Sequence, residues 1–400
     1  MKKEILIISP YNPYNNIPSG SSYFLLSRLK KLVELFNVTL VTFKDADQNQ
    51  DLIKEINCQN YFVKQKNEPL ESYNKNIVKK IFNILRGNLK IFKIINGLSL
   101  QLSDSLKEII TKKRYDLIQV EDIVIAPIYK FLPPDTPKIL IFHNVLSNIA
   151  QSIYVKNSFL KKAIAFWESL WIKRFEKKMV GRYKYAIAIT QYENQYLKKI
   201  NSFINSDWIP IDIDTNKIMP HSFKEDSLDI AFFGTMSYPP NEEAALFFIK
   251  KVMPILQIRN PSIKFFIIGK NPGKNLLKYS NDKIIITGEV DNIEKHLYNI
   301  NIVVAPIFYG GGMRVKILQA MAMAKAVIST CKGAEGILYT NNKNIIIANN
   351  ANDFADAITN LISNPIKAKK IGLAARKLIE ETYSTNIVWN KWKIFYSKIV

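Results

Sequence analysis

Short apolar runs alternate with longer amphipathic segments along the whole chain. The apolar runs have the length of single β-strands, and the segments between them repeat apolar residues at helical spacing. The predicted strands are Lys3–Ser9, Val38–Phe43, Tyr115–Val120, Lys138–Phe142, Tyr185–Thr190, Leu228–Phe233, Lys264–Ile268, Lys283–Thr287, Ile302–Ala305 and Ala326–Ser329. Strands separated by helices predict parallel sheets that are covered by helices on both faces. The expected fold class is therefore α/β with two doubly wound domains.

The strand series restarts after Pro210, and this proline marks the predicted joint between the two domains. A chain of 400 residues is long enough for two to three domains of ordinary size. Helices are predicted over Tyr23–Phe36, from Glu242, from Met313 and over Asn386–Ile399.

Glycines follow several predicted strands, where the ligands of doubly wound sheets bind. The loops in question contain Gly20, Gly234, Gly269, Gly288 and Gly310–Gly312. Behind the last loop, Arg314 and Lys316 occupy the first turn of the predicted helix, where the helix dipole disfavours cations. Two cations at that end are explained by a bound phosphate, which the free N–H groups of a helix start also attract. A tight turn with two solvated cations remains the alternative.

Composition excludes several classes of protein. An apolar content of 48% with 12% aromatic residues excludes a disordered chain. Two cysteines and three scattered histidines provide neither a disulfide framework nor a zinc site. We expect no metal, because the Asp-x-Asp pairs lie outside glycine loops. No apolar run approaches the length of a membrane-spanning helix, so a cytoplasmic location is expected.

Positive charge is concentrated in the first half of the chain. Residues 1–200 contribute +15 of the net charge of +22. The segments Lys75–Lys93 and Lys156–Lys184 mix cations with aromatic and aliphatic residues. This mixture is typical of a surface that lies on anionic lipid. One interpretation is therefore a peripheral contact with the inner face of the membrane. A solvated basic helix face is the equal alternative. No nucleic-acid-binding signature accompanies the charge, so no nucleic acid partner is expected.

An ordered set of short motifs runs along most of the chain. The motifs are Ile8-Ser-Pro with Pro18-Ser-Gly20, His143-Asn-Val, Phe233-Gly-Thr-Met with Pro240-Asn, Ile267-Ile-Gly-Lys-Asn-Pro, Thr287-Gly-Glu-Val-Asp, Gly310-Gly-Gly-Met-Arg-Val-Lys-Ile-Leu-Gln-Ala-Met-Ala and Gly333-Ala-Glu-Gly. Each motif is weak alone, but the set in this order resembles the retaining glycosyltransferases of GT-B architecture. The similarity is to the group 1, family 4-like type, in its bacterial surface-polysaccharide subgroup.

The resemblance implies two Rossmann-like domains that face each other across a cleft. Residues 1–210 would bind the acceptor, residues 211–384 would bind the nucleotide-sugar, and the helix in 385–400 would cross back to the first domain. The implied reaction moves a sugar from a nucleotide-sugar donor to a hydroxyl of a glycan or lipid-linked acceptor, with retention of anomeric configuration. The nucleotide-sugar is a substrate, and no cofactor is expected.

The resemblance also implies roles for individual residues. His143 would contact the donor sugar, and Arg314 and Lys316 would stabilise the leaving diphosphate. The implied donor-binding residues are Gly20, Gly234, Thr235, Gly288, Val290, Gly311, Gly312, Met313 and Gln319. Retention in this family is thought to need no protein nucleophile, because a phosphate oxygen takes the acceptor proton. Glu121 and Asp122 line the acceptor cleft on one interpretation and cap a strand end on the other.

Four positions depart from the family pattern. Relatives commonly carry two glutamates eight positions apart, where this chain has Gly311 and Gln319. Gln319 has one acceptor oxygen instead of a carboxylate, so its bond to the ribose is expected to be weaker. Ala324 and Ala326 replace a usual glycine and a usual proline, changes that we expect to be structurally minor. The alternatives left open are a poorly active homologue, an epimerase of the same fold, and a non-catalytic basic module that binds anionic lipid or nucleic acid.

Overall fold

The computed structural model describes residues 2–15, 20–45, 48–64, 90–152, 159–220 and 223–400. The chain divides into two compact units. Unit 1 contains Met1–Pro210 and Trp389–Val400, and unit 2 contains Ile211–Val388. Pro18 and Ser19 of the first motif, and residues 75–89 of the first basic segment, lie outside the described residues.

Unit 1 is built on a seven-stranded parallel sheet with the strand order β3-β2-β1-β4-β5-β6-β7. Its strands are β1 (Lys3–Ser9), β2 (Phe36–Phe43), β3 (Gln59–Val63), β4 (Leu117–Glu121), β5 (Lys138–Phe142), β6 (Tyr185–Ala188) and β7 (Asn205–Trp208). Its helices are α1 (Gly20–Leu35), α2 (Gln50–Glu55), α3 (Lys90–Lys112), a 3-10 helix (Ile123–Phe131), α4 (Leu146–Ser152), α5 (Phe159–Val180) and α6 (Gln191–Ile200). The strand order reverses between β1 and β4, which places a topological switch point there.

Unit 2 repeats this plan on a six-stranded parallel sheet with the strand order β10-β9-β8-β11-β12-β13. Its strands are β8 (Ile230–Phe233), β9 (Phe265–Ile268), β10 (Ile284–Gly288), β11 (Ile302–Ala305), β12 (Ala326–Ser329) and β13 (Ile346–Ile347). Its helical segments are α7 (Pro239–Phe247), a π-helical turn (Phe248–Val252), α8 (Met253–Arg259), α9 (Lys274–Leu277), α10 (Ile293–Leu297), α11 (Val315–Ala322), α12 (Ala351–Ser363), α13 (Pro365–Leu378) and a π-helical turn (Ile379–Tyr383). The switch point of this sheet lies between β8 and β11.

Both sheets have the burial expected of strands covered on two faces. Every residue from Ile5 to Ser9 is buried, as are all residues of β8 and β11. Continuous apolar burial of this kind is characteristic of parallel sheets, because helices cover both sides. The predicted α/β class with two doubly wound units is therefore confirmed.

The last helix, α14 (Thr385–Ser397), begins in unit 2 and ends in unit 1. Within unit 1, its Trp392 ring lies 6.2 Å from the ring of Phe24 on α1 and stacks on Tyr396 at 5.4 Å. Trp392 is 2% exposed. None of the helices in the described ranges combines the length and hydropathy that crossing a bilayer requires.

The sequence pattern missed three strands and misplaced three helix starts. Strands β3, β7 and β13 are sheet edges, and β3 and β7 carry polar residues that give them no continuous apolar run. Helices α1 and α7 begin three residues before their predicted starts. Helix α11 begins at Val315 instead of Met313, which makes Arg314 its N-cap residue.

Candidate functional site

Three glycine loops meet at the carboxyl edge of the unit 2 sheet. The amide of Gly234 donates to the carbonyl of Ile268 at 2.9 Å, and the amide of Gly269 donates to the carbonyl of Gly288 at 3.0 Å. Gly234 and Gly269 both have φ of +145°, and a Cβ on Gly269 would lie 1.9 Å from the carbonyl oxygen of Gly234. Only glycine permits this conformation and this approach. The loops after β8, β9 and β10 therefore form one continuous layer.

Lys316 projects from α11 into the underside of that layer. Its Nζ donates to Oδ1 of Asn241 at 2.6 Å and lies 4.7 Å from the centre of the Phe232 ring. A Cβ on Gly234 would stand 2.4 Å from the same Nζ. Asn241 donates in turn from Nδ2 to the carbonyl of Thr235 at 2.8 Å, which ties Lys316 to the loop after β8. Lys316 keeps some exposure as a residue, but its amine is enclosed.

No carboxylate in the described part of unit 2 forms an ion pair with the Lys316 amine. Burial and, to a smaller extent, the neighbouring Arg314 together lower the pKa of Lys316 from 10.5 to about 7. A cation enclosed without a counterion favours an anionic ligand, because such a ligand would supply the missing charge. Of the residues predicted to bind the donor, Gly234 lies directly beside Lys316, and Thr235 is linked to it through Asn241.

Arg314 holds the glycine loop that precedes it. Its Nη1 donates to the carbonyls of Gly311 and Gly312, the latter at 2.5 Å, and its Nη2 donates to the carbonyl of Tyr309 at 3.3 Å. The residue is 8% exposed, and burial lowers its pKa. The guanidinium therefore braces the loop in this structure, and its predicted contact with phosphate stays a prediction.

The loop itself needs its glycines. Gly310 and Gly312 have φ of +101° and +77°, in the left-handed region that other residues adopt with strain. A Cβ on Gly310 would lie 3.2 Å from both the Arg314 guanidinium and the Tyr238 hydroxyl. Met313 is buried beneath the loop, and Gln319 lies half-buried on α11, three residues beyond Lys316. Lys316 and Gln319 therefore share one face of the helix.

Gly288 and Val290 lie at the end of the edge strand β10. The β10 register shifts between Ile286 and Gly288, and Gly288 has φ of +72°. A Cβ on Gly288 would meet nothing within 4 Å, so open space adjoins this part of the loop layer. Gly20, the remaining predicted donor contact, is the exposed first residue of α1 in unit 1.

His143 lies in unit 1, where it follows β5 and is 1% exposed. Its ring centre is 5.4 Å from that of Tyr11 and 5.7 Å from that of Phe24. Its Nε2 is 3.5 Å from Oε2 of Glu121, at the end of β4. The contact between His143 and the donor sugar stays a prediction.

A buried network surrounds Glu121. Its Oε1 accepts from Nη2 of Arg28 and from Nε2 of Gln119, both at 2.5 Å. Burial raises the pKa of Glu121, but the guanidinium of Arg28 and the imidazole of His143 outweigh it and lower the pKa overall. Arg28 and Gln119 are not among the site residues predicted from the sequence. A signal was present, since Gln119 and Glu121 are polar residues within an apolar strand.

Asp122 joins the end of β4 to the start of the 3-10 helix, and its backbone has a strained, positive φ. Its φ is +95°, its Oδ1 caps the 3-10 helix by accepting from the amide of Val124, and its Oδ2 accepts from the Tyr11 hydroxyl at 2.5 Å. The interpretation of Asp122 as a strand-end cap thus describes its contacts. Within the described residues, no three His, Cys, Asp or Glu side chains cluster in a way that would hold a metal ion.

Comparison with known proteins finds similarity to glycosyltransferases. The family model of Glycosyl transferases group 1 matches residues 227–364, which lie within unit 2. An uncharacterized 44.6 kDa protein in cps region of Klebsiella pneumoniae is 27% identical over 97% of this chain and 98% of its own length. Poly(ribitol-phosphate) alpha-N-acetylglucosaminyltransferase of Staphylococcus aureus (strain COL) is 25% identical over 51% of this chain and 40% of its own length.

Solved structures share the fold of the whole chain. Sucrose-phosphate synthase from Thermosynechococcus elongatus matches with a TM-score of 0.73 and 14% identity, over 99% of this chain and 99% of that protein. Anabaena HepE in complex with UDP-glucose matches with a TM-score of 0.67 and 14% identity, over 99% of this chain and all of that protein. Identities this low show a common fold, the GT-B fold of two parallel-sheet units.

Proposed function

We propose, from the premise that this chain carries a group 1 glycosyltransferase domain in a GT-B fold, that it transfers a sugar from a nucleotide-sugar donor to an acceptor hydroxyl with retention. The observation that carries the proposal is the enclosed amine of Lys316, which has a hydrogen bond to Asn241 but no counterion in the described part of unit 2. A diphosphate is the ligand class that this site fits best.

The chemistry requires such a cation. When a sugar leaves its nucleotide, negative charge develops on the diphosphate oxygens while the sugar carbon becomes cationic. A positive group that is already fixed and partly dehydrated stabilises this charge without further reorganisation. Lys316 is fixed by Asn241 and by the Phe232 ring before the donor binds, and a bound diphosphate would favour the protonated form of its amine.

The loops supply the remaining contacts of the proposed donor site. Gly234 leaves its backbone bare beside Lys316, and the glycine loop leads into the N-terminus of α11, whose first amides have no helical partner. Arg314 contributes by holding the loop carbonyls, which keeps this helix start in place. Gln319 lies one turn further along the same face and is the proposed partner of the ribose.

The relatives favour this donor class. HepE is described with UDP-glucose, and the Staphylococcus aureus relative is an alpha-N-acetylglucosaminyltransferase, which is the kind of activity that we propose here. In the proposed retaining reaction, a phosphate oxygen takes the acceptor proton on the face that the diphosphate leaves, so positioning provides much of the rate. His143 is the proposed contact of the donor sugar from unit 1.

The test is a thermal-shift and donor-hydrolysis screen of the purified protein against common nucleotide-sugars without added metal. One donor is expected to raise the midpoint of unfolding and to be hydrolysed slowly, and Lys316→Met should abolish both effects. Lys325→Met is the matched control, because Lys325 is another buried lysine of unit 2 whose pKa burial lowers to about 8. Absence of any response in the wild-type protein would contradict the proposal.

The products of the same screen separate the alternatives. A donor that returns with an inverted sugar carbon and an intact diphosphate bond would favour the epimerase. Binding to duplex nucleic acid that persists above physiological salt would favour the basic binding module.

A peripheral contact with anionic membrane, as expected for a lipid-linked acceptor, is supported by the outer face of α5. Phe166 and Trp167 are 54% and 47% exposed, and four cations on the following two turns are exposed as well, namely Lys173, Arg174, Lys177 and Lys178. The Arg174 guanidinium lies 5.1 Å from the Trp171 ring. Exposed aromatic rings beside clustered cations are typical of helices that lie in the interface of anionic bilayers.

Vesicle flotation tests this contact. The protein should float with vesicles that contain phosphatidylserine and remain unbound with phosphatidylcholine alone, and the double variant Phe166→Ser, Trp167→Ser should bind several-fold more weakly. Phe203→Ser is the control, because Phe203 is 94% exposed but lies outside α5. Equal flotation of the control and the double variant would contradict the proposed surface.

A further inference from the structure

A chain of buried polar contacts connects the C-terminal helix to His143 within unit 1. The Tyr396 hydroxyl of α14 donates to Oε1 of Gln119 at 2.6 Å. Gln119 donates from Nε2 to Oε1 of Glu121 at 2.5 Å, and Oε2 of Glu121 faces Nε2 of His143 at 3.5 Å. Gln119, Glu121 and His143 are each at most 1% exposed. The three residues are therefore shielded from bulk solvent.

Arg28 fixes the same carboxylate from α1. Its Nη2 contacts Oε1 of Glu121 at 2.5 Å, and its guanidinium lies 4.8 Å from the Phe24 ring and 4.5 Å from the Trp392 ring. The planar guanidinium is thus held by two aromatic rings, one of which belongs to the C-terminal helix. Such stacking suits arginine and restricts its orientation.

Arg28 and Gln119 both donate to Oε1 of Glu121, whereas Oε2 faces His143. Oε2 of Glu121 and both ring nitrogens of His143 are buried without a hydrogen-bond partner in this conformation. Buried polar atoms are rarely left unbonded, because desolvation without a bond is unfavourable. A small rotation of the imidazole brings Nε2–H to Oε2, and the carboxylate accepts. Nδ1 of a neutral ring is then the acceptor that remains.

We propose that Glu121 is the positioning residue of His143. It holds the imidazole as the Nε2–H tautomer, so that Nδ1 accepts a hydrogen bond from a hydroxyl of the bound sugar. The C-terminal helix fixes Glu121 through Tyr396 and Trp392. The contact of Nδ1 with a sugar rests on the proposed function, whereas the tautomer and its dependence on Glu121 do not.

The other groups around the imidazole do not compete for its protons. The Tyr11 ring is tilted by 51° against the imidazole and the Phe24 ring meets it nearly perpendicular, at 84°. The Tyr11 hydroxyl donates to Asp122. Arg28 is a donor only and cannot accept from the ring. Glu121 is therefore the acceptor that the described surroundings offer to Nε2.

Long-range proton–nitrogen NMR spectra of protein labelled with ¹⁵N-histidine test the tautomer directly. The chain has three histidines, so the His143 signals are assigned by their loss in His143→Gln. We expect the Nε2–H form in the wild-type protein and a shift toward the Nδ1–H form in Glu121→Gln, because the new amide can donate to Nε2. Tyr396→Phe should shift the populations in the same direction to a smaller extent. Glu193→Gln is the control, since this buried carboxylate of unit 1 belongs to the capping box of α6.

Kinetics separate a positioning role from a merely structural one. Glu121→Gln should lower kcat at least about 10-fold, because a disordered His143 no longer assists the reacting sugar. The donor KM should change less than about 2-fold, because the nucleotide part of the donor is proposed to bind unit 2. Glu121→Asp, which keeps the charge, should recover part of kcat. If Glu121→Gln does not fold, Tyr396→Phe provides both measurements, since it removes only a hydroxyl.

The outcomes are distinguishable from failure of the proposed function. An Nδ1–H form in the wild-type protein, or an unchanged tautomer in both variants, would overturn the positioning role. A tautomer that responds as expected in a protein without transferase activity would support the positioning role and refute the proposed reaction.

Discussion

Replacing Lys316 with methionine should stabilise the ligand-free protein while destroying its response to nucleotide. The folded state holds this amine at a pKa of about 7, against 10.5 for an ordinary lysine, because burial and the adjacent Arg314 disfavour the charge. At about 1.4 kcal/mol per pKa unit, keeping the charged amine in place costs about 5 kcal/mol. The lost bond to Asn241 offsets about 1.5–3 kcal/mol of this. The variant should therefore gain about 2–3.5 kcal/mol near pH 7.

The pH dependence identifies the source of the gain. Between pH 7 and 10.5 the unfolded chain binds a proton at Lys316 that the folded chain has released. The wild-type free energy of unfolding therefore rises with pH in this window, relative to the variant. The advantage of Lys316→Met should be greatest below pH 7 and should disappear before the pH reaches 10.5, because the loss of the bond to Asn241 remains when the amine is neutral.

The two units can be followed separately in one urea titration. All five tryptophans belong to unit 1, so tryptophan fluorescence reports unit 1, and the remaining far-UV circular dichroism transition reports unit 2. Lys325→Met should show a comparable gain that declines between pH 8 and 10.5, since burial lowers the pKa of Lys325 to about 8. Only Lys316→Met should lose the stabilisation by a nucleoside diphosphate. A variant less stable than the wild-type protein at pH 7, with a difference that does not depend on pH, would refute the reasoning.

Three further substitutions test the donor site and its supporting loops. Gln319→Glu should leave donor affinity unchanged or raise it, because a carboxylate makes stronger bonds to ribose hydroxyls, and weaker binding by calorimetry would argue against a ribose contact. Gly269→Ala should lower the free energy of unfolding by more than about 3 kcal/mol in urea denaturation, because its Cβ would lie 1.9 Å from the Gly234 oxygen. Ala324→Gly should raise the free energy of unfolding of unit 2 by about 0.5–1 kcal/mol, since Ala324 has φ of +56°; an unchanged midpoint would contradict the assigned strain.

Ala324 corrects an expectation drawn from the sequence. The replacement of a usual glycine there was expected to be minor, but the residue ends α11 in the left-handed conformation. The amide of Ala324 donates to the carbonyl of Met321 and that of Lys325 to Ala320, the pattern of a helix end that favours glycine. Backbone conformation of this kind follows from how a helix terminates, and side-chain pattern does not reveal it.

The α/β class and most strands followed from the sequence because burial on two faces demands continuous apolar runs. Ile302–Ala305, Lys138–Phe142 and Lys3–Ser9 begin and end where the pattern predicts. Edge strands such as Gln59–Val63 were not predicted, because a strand with a neighbour on one side only can carry polar residues and then lacks a continuous apolar run. The glycine loops were also evident from the sequence, because a run such as Gly310–Gly312 has few structural explanations other than close backbone approach.

Only the tertiary structure assigned partners to the polar residues of these loops. From the sequence, Arg314 and Lys316 are two cations at one helix start with the same predicted role. In the structure, Arg314 donates to the loop carbonyls, whereas Lys316 is enclosed and donates to Asn241. Likewise, the pairing of Glu121 with Arg28 joins residues 93 positions apart. Local periodicity determines which side chains are buried, whereas the partners of buried polar groups depend on which strands lie side by side, and that order is fixed only when the sheets assemble.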